Sequence, residues 1–304
     1  MNMPVVKIFG ERNTGTRALN ALLRQVPNVV QRIQPRSVAS PFDGAVAAAI
    51  EAEMKGHWKK LYLHALRDDL AAREARDDPW KHALPRLTRT MIDARVRTLI
   101  LVRDPYSWLI GLARRPYHMK GPKAECLEAF AARPWMTERR EGLPAVVASP
   151  LDLWAQKAAG VLEYCAAANT AGLPSKIIRF EDFVQDPAEV TRLSLGSIGI
   201  SVEALSARPQ NTKQNEAGLS RLQAYYRVEA WRSRLSRETV ARINQRVDWS
   251  VAEALGYTML DPRDFPIELP AAEAQAMRAE MASLSEPAHL STGSHREAGT
   301  AAAT

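Results

Sequence analysis

The chain is poor in the features that would place it outside a reducing compartment. Only Cys126 and Cys165 occur among 304 residues, and two cysteines so far apart form neither a disulfide framework nor a metal-ligand cluster. No apolar run approaches about 20 residues, so no membrane-crossing helix is expected. Met1 to Pro4 lead straight into an apolar segment, leaving no room for a signal peptide. A soluble, cytoplasmic protein is the expectation. Acidic residues are outnumbered, 34 Asp and Glu against 41 Lys and Arg, for a formal charge of +7 and a pI near 9.5. Such a balance attracts anions, whether a phosphorylated cosubstrate, an acidic polymer or nucleic acid, without choosing among them. No helix-turn-helix, zinc or RNA-binding signature is present, so nucleic acid is not an expected partner. No aromatic residue follows Phe265; a last helix near 271–284 is possible, and residues 285–304 cannot bury enough apolar surface to order themselves.

What is present begins with Val5-Val6-Lys7-Ile8-Phe9, a run suited to a buried parallel strand, and with Leu19, Leu22, Leu23 and Val26, which share one helical stripe. Gly10-Glu11-Arg12-Asn13-Thr14-Gly15 lies between them. Its two glycines can take backbone angles closed to other residues, so several N–H groups can converge at the start of a helix and receive an anion, most often a phosphate. The spacing of Gly10 and Gly15 is that of the mononucleotide-binding P-loop. Where that motif has Lys followed by Ser or Thr, however, this chain has Thr16 and Arg17.

Three further strands are expected. Lys60 to Leu66 would place His64 at a carboxyl strand end, where open α/β sheets border their ligand crevice. Thr98 to Val102 is the most apolar; Asp104 and Pro105 after it are natural helix-start residues, and Arg103 is left at the strand edge with a planar fork suited to phosphate. Lys176 to Phe180 is the fourth, and helices are expected at 44–54, 67–76, 106–115, 151–171, 188–196, about 215–233 and 236–255. Prolines, arginines and aromatics crowd residues 111–150, which read as a lid or substrate-facing insertion or, equally, as a solvated excursion. Strands alternating with helices give a parallel sheet covered on both faces. One domain over 1–262 and a tail over 263–304 are expected.

Taken together these residues resemble a family. Gly10-Glu11-Arg12-Asn13-Thr14-Gly15-Thr16, between its strand and helix, resembles the 5′-phosphosulfate loop of sulfotransferases that use 3′-phosphoadenosine-5′-phosphosulfate. Val102-Arg103-Asp104-Pro105 with Ser107-Trp108 is similar to their 3′-phosphate motif. Ile178-Arg179-Phe180-Glu181-Asp182-Phe183 with Asp186-Pro187 resembles their Arg-Tyr-Glu-Asp-Leu element, and Leu235-Ser236 to Gly256-Tyr257 their closing helix. The pieces keep the family's order over roughly residues 5–257.

The resemblance implies a three-layer α/β/α P-loop-like fold with a helical lid and a helical C-terminal segment. It also implies transfer of a sulfuryl group to a hydroxyl or amine, releasing adenosine 3′,5′-bisphosphate, with no metal. Charge developing on the leaving 5′-phosphate would be met by arginine and backbone amides. Arg12 and Arg17 are the cations for that task; Gly10, Asn13, Thr14, Gly15 and Thr16 would line the 5′-phosphate, and Arg103 with Ser107 would hold the 3′-phosphate. Asn13 stands where many members carry Lys or Arg, and Gly111 where a second 3′-phosphate ligand, a serine, is typical. His64 is the first choice of general base and Glu181 the second, the plainer role for Glu181 being to cap its helix and pair with Arg179. A degenerate P-loop kinase and a non-catalytic basic binding protein remain the alternatives. The acceptor, a glycan, a lipid head group or a small metabolite, carries no readable code.

Overall fold

The computed structural model describes residues 3–32, 41–117, 124–206 and 216–283. Strand β1 (Val5–Gly10) passes through a tight loop into α1 (Thr16–Leu23), and β2 is only Val30–Gln31. Helices α2 (Pro41–Glu53) and α3 (Gly56–Glu74) pack on each other, then an irregular stretch leads through α4 (Arg89–Asp93) to β3 (Arg97–Val102) and α5 (Pro105–Arg114). Next come α6 (Leu127–Ala132), a small antiparallel pair β4 (Trp135–Met136) and β5 (Val146–Val147) enclosing a 3₁₀ turn at Arg139–Glu141, and the long α7 (Pro150–Thr170). Strand β6 (Ser175–Arg179) runs directly into α8 (Phe180–Gln185) and α9 (Pro187–Ser197). The rest is helical: α10 (Glu216–Arg227), a 3₁₀ turn at Ala230–Arg234, α11 (Arg237–Arg246), α12 (Trp249–Ala254) and α13 (Ala271–Ser283).

The main sheet is parallel in the order β2-β1-β3-β6, with Ile8 beside Leu99 and Ile100 beside Ile177. Alternation along the strands divides the core in two. Val6, Ile8, Leu99, Leu101 and Ile178 face α1 and α9, whereas Phe9, Ile100 and Val102 face α5 and α7. The α/β fold with a central parallel sheet is therefore as the sequence implies. Asp104 caps α5 by accepting from the Ser107 N–H at 2.9 Å, with Pro105 in the first turn.

Three expectations are corrected. Residues 60–66 are not a strand but the middle of α3, and the short β2 supplies the other edge of the sheet. Leu61 and Tyr62 are exposed on that helix, so the apolar run there does not mark core. The helix expected over 236–255 is two, because Asp248 leaves the helical path and caps α12. The stretch read as a lid is, over 124–150, part of the body: Leu127, Phe130 and Trp135 are buried in the main core. Its Lys120, Pro122 and Lys123 lie outside the described residues, as does the 285–304 tail. Among the described residues no helix is long and apolar enough to cross a membrane.

Candidate functional site

The loop after β1 is held open by three backbone devices. The Gly10 N–H donates to the Lys81 carbonyl (2.9 Å) and the Gly10 carbonyl meets His82 Nδ1 (2.6 Å), so residues 80–82 dock on the end of β1. A Cβ on Gly10 would lie 2.8 Å from Thr14 Oγ1 and 2.9 Å from the Leu101 carbonyl oxygen, which explains the glycine. Asn13 (φ 67°) and Gly15 (φ 84°) are both left-handed, and Thr14 folds back onto the Glu11 carbonyl through its N–H (3.3 Å) and Oγ1 (2.5 Å). Gly15 caps α1 without a side chain. Among the described residues, the N–H groups of Gly15, Thr16 and Arg17 therefore find no acceptor, an arrangement that receives anions.

The loop's two arginines have opposite fates. Arg12 is buried; it donates to Glu141 Oε1 (2.9 Å) and to Glu138, and stacks on Trp80 and Tyr117. Burial opposes its charge, but Glu141, Glu11 and Glu138 outweigh burial and raise its pKa. Arg12 is thus a neutralised structural cation rather than one free for a leaving group, a correction to its expected role. Arg17 is exposed and, among the described residues, pairs with no carboxylate. Lys81, which sequence reasoning missed, is equally unpaired; burial and then the charge of Arg17 push its pKa down. Two cations thus repel one another beside a turn of unpaired amides.

Arg103 is not free either. It donates from Nη1 to the Asn13 carbonyl (2.7 Å), from Nη2 to the Ser107 carbonyl (2.6 Å) and to Tyr226 Oη, and from Nε to Ser107 Oγ (3.1 Å), while Phe180 and Tyr226 flank it. A Cβ at position 111 would stand 2.9 Å from Nη1, so the bare Gly111 makes the room this guanidinium occupies. Arg103 reaches the loop at the Asn13 carbonyl, and Ser107 and Gly111 surround its guanidinium. It stands there as a brace under Asn13.

Of the two expected bases His64 is displaced, and Glu181, in its place after β6, is engaged. His64 lies on α3, and its Nε2 is 3.1 Å from Glu138 Oε1, one carboxylate removed from Arg12. Burial works to raise Glu138, but His64, Arg12 and Arg140 together hold it below the usual carboxylate range. Glu181 spends both oxygens, accepting from the Asp104 N–H (3.1 Å) and from Tyr257 Oη (3.3 Å). His82 is the better-placed imidazole. Because a carbonyl can only accept, Nδ1 carries the proton and Nε2 the lone pair. Burial first, then Lys81, Arg12 and Lys157, hold its pKa well below the ordinary histidine value against the pull of the Gly10 carbonyl. The ring is neutral at pH 7.

Burial and the charge of Glu181 raise Asp104 to about 7, against the pull of the Ser107 N–H and Arg103. A folded pKa above the unfolded value near 3.9 means that folding takes up a proton. The stabilising contribution is full below about pH 4, declines as pH rises towards 7 and is spent above it, at no more than about 1.4 kcal/mol per pH unit. Asp104→Asn keeps the cap oxygen. Its stability measured against the parent protein should accordingly improve steadily between pH 4 and 7 in urea titrations; a constant difference would refute the protonated carboxyl.

A small cleft opens between the loop, the end of β3 and α7, lined by Gly10, Glu11, Thr14, Arg103, Trp154 and Lys157. Gly10, on its lining, also donates its N–H to the Lys81 carbonyl. Among the described residues no cluster of His, Cys, Asp and Glu could hold a metal.

Fold and loop together define a three-layer α/β protein with a P-loop-like turn at the carboxyl end of its first strand. No protein-family model and no curated protein matches the chain. Among solved structures it is similar to a sulfotransferase from Alicyclobacillus acidocaldarius (16% identity, 82% of this chain and 98% of that one, TM-score 0.34). It is also similar to the sulfotransferase domain from the curacin biosynthetic pathway (10%, 92% and 97%, TM-score 0.34). A third likeness is to retinol dehydratase in complex with androsterone and the inactive cofactor PAP (13%, 95% and 84%, TM-score 0.35).

Proposed function

We propose that the chain is a sulfotransferase that takes a sulfuryl group from 3′-phosphoadenosine-5′-phosphosulfate and passes it to a hydroxyl or amine. One observation carries this reading: Arg17 and Lys81, without carboxylate partners among the described residues, stand at a turn whose amides also lack acceptors, while Arg12 is already neutralised. Unsatisfied donors and mutually repelling cations are costly unless an anion settles them. The 5′-phosphate end of the donor fits these residues. The 3′-phosphate end fits less well, because Arg103 is engaged with Asn13, Ser107 and Tyr226.

The nucleotide, when bound, supplies an activated sulfuryl group on a good leaving phosphate. This chain's residues do the rest. Amides of Gly15, Thr16 and Arg17 hold the phosphate oxygens, and Arg17 and Lys81 meet the charge that grows on the leaving oxygen. His82 Nε2 receives the acceptor proton as the acceptor atom bonds to sulfur.

Thermal unfolding with nucleotides tests the reading. Adenosine 3′,5′-bisphosphate should stabilise the protein without a divalent metal, by about 2.7 kcal/mol at one hundred times its dissociation constant. No shift at any concentration, or an equal shift from ATP only with magnesium, would remove the proposal in favour of a kinase-like or non-catalytic protein. Adenosine 5′-monophosphate separates the two ends: an advantage for the bisphosphate means that Arg103 turns outwards, and equality means that it stays a brace. With a transfer assay in hand, His82→Ala should lose turnover while keeping nucleotide binding, and His64→Ala should keep both.

A further inference from the structure

The two elements that hold the Arg103 guanidinium are tied together by a third. On α5, Ser107 and Gly111 surround it, and on α10 the Tyr226 hydroxyl accepts from it. Ser107, Gly111 and Arg114 fall within an arc of about 60° on α5, so Arg114 continues the stripe that borders Arg103. Arg234 closes the 3₁₀ turn that follows α10. Both arginines end on one carboxylate of α13: Arg114 Nε stands 3.0 Å from Glu280 Oε2, and Arg234 donates from Nη1 (2.6 Å) and Nη2 (3.1 Å) to its two oxygens. Tyr225, whose ring is 5.3 Å from that of Tyr226, feels the charges of Arg234, Arg114 and Arg103 together. Helix α13 itself is lightly anchored. Its less exposed residues Glu273, Ala274, Met277, Glu280 and Met281 form one face, on which Met277 and Met281 are the large apolar groups packed on the main core. The rest of the hold on that face is electrostatic: Glu280 grips two arginines, and Glu273 adds to the field at Arg234. Arg114 is half exposed, so the grip is partly wet and able to yield.

We propose that α13 is an autoinhibitory strap: by clamping α5 to the turn after α10 through Glu280, it keeps Arg103 stowed under Asn13 and withholds it from phosphate. That phosphate is the 3′ end of the nucleotide, a point that rests on the sulfotransferase reading. With Glu280 released, α10 can draw Tyr226 away from α5, and the guanidinium loses the hydroxyl that ties it inwards. A seat that is open in only a fraction of the molecules binds with an apparent affinity lowered by that fraction. Adenosine 5′-monophosphate makes no use of Arg103 and escapes this cost.

Two measurements on the full chain test the strap. In the ligand-free protein, arginine-selective labelling with phenylglyoxal, read by peptide mass spectrometry, should modify Arg103 several-fold faster in Glu280→Gln than in the parent. Arg12, buried in its own carboxylate cluster, should stay protected in both, which separates release of the strap from general unfolding. In calorimetric titrations the preference for adenosine 3′,5′-bisphosphate over adenosine 5′-monophosphate should rise by about tenfold in Glu280→Gln, an ordinary coupling between sites, with monophosphate affinity unchanged. Arg234→Gln opens the clamp from the other side while removing a cation, and should raise both readouts too. A gain confined to Glu280→Gln means that the vacated arginines simply attract phosphate, and overturns the strap. Unchanged Arg103 labelling, or faster labelling with an unchanged nucleotide preference, overturns it as well. Faster labelling without binding of either nucleotide keeps the strap and removes the sulfotransferase reading instead.

Discussion

Lys81→Ala should lower sulfuryl-transfer turnover by about 10²–10³-fold, the usual loss when one donor aimed at a developing oxyanion is removed. The protein should melt no lower than its parent. Lys81 has no carboxylate to abandon, and its pKa is already depressed by burial and by Arg17, so deleting it relieves a repulsion. An unchanged or slightly raised unfolding temperature together with lost turnover is the signature of a residue whose strain serves function. Arg17→Ala should behave alike but more weakly, since its fork is more exposed and better screened. Lys81→Arg should recover part of the activity. A loss smaller than about tenfold for Lys81→Ala would transfer the leaving-group role to some other cation.

The second large effect is on stability. Glu141 is fully buried and accepts from Arg12 (2.9 Å) and Lys157 (2.5 Å), while Lys157 also pairs with Glu11 and donates to the His82 carbonyl. The 3₁₀ turn, the loop after β1, α7 and the 80–82 stretch are joined by that cluster. Glu141→Ala strips a shared acceptor from two buried cations, a change that typically costs about 3–5 kcal/mol. For a chain of this size the unfolding temperature should drop by on the order of 10 °C. Hence Arg12→Ala would confound unfolding with lost chemistry. Near-parental stability of Glu141→Ala would mean that the cations find water or new partners and that the cluster holds little together.

These two residues also mark how far the sequence could be read. Strand β1, its glycine loop and α1 were readable because local chemistry and tertiary demand agree: apolar residues on both faces of β1, Gly15 where φ is positive, and a clear stripe on α1. Asp104-Pro105 before α5 and the long α7 were readable for the same reason. The α3 segment was misread because Leu61, Tyr62 and Leu63 look like a buried strand, and only the folded chain reveals that two of them face outwards. Lys81 and His82 sit in an irregular stretch between Pro79 and Pro85 without periodicity. A tryptophan, lysine and histidine together in a proline-bounded loop were the available signal. The pairing of Arg12 with Glu138 and Glu141 spans more than a hundred residues, and nothing local could announce it.

If the proposed nucleotide binds, the bond from Arg103 to the Asn13 carbonyl would make the two ends of its seat a single lever. Drawing the guanidinium outwards towards a phosphate would unlatch Asn13 from below, and a tightly gripped turn would in return keep the arginine stowed. Ligands that reach both ends would then spend part of their affinity tipping this lever, and short ligands would leave it at rest.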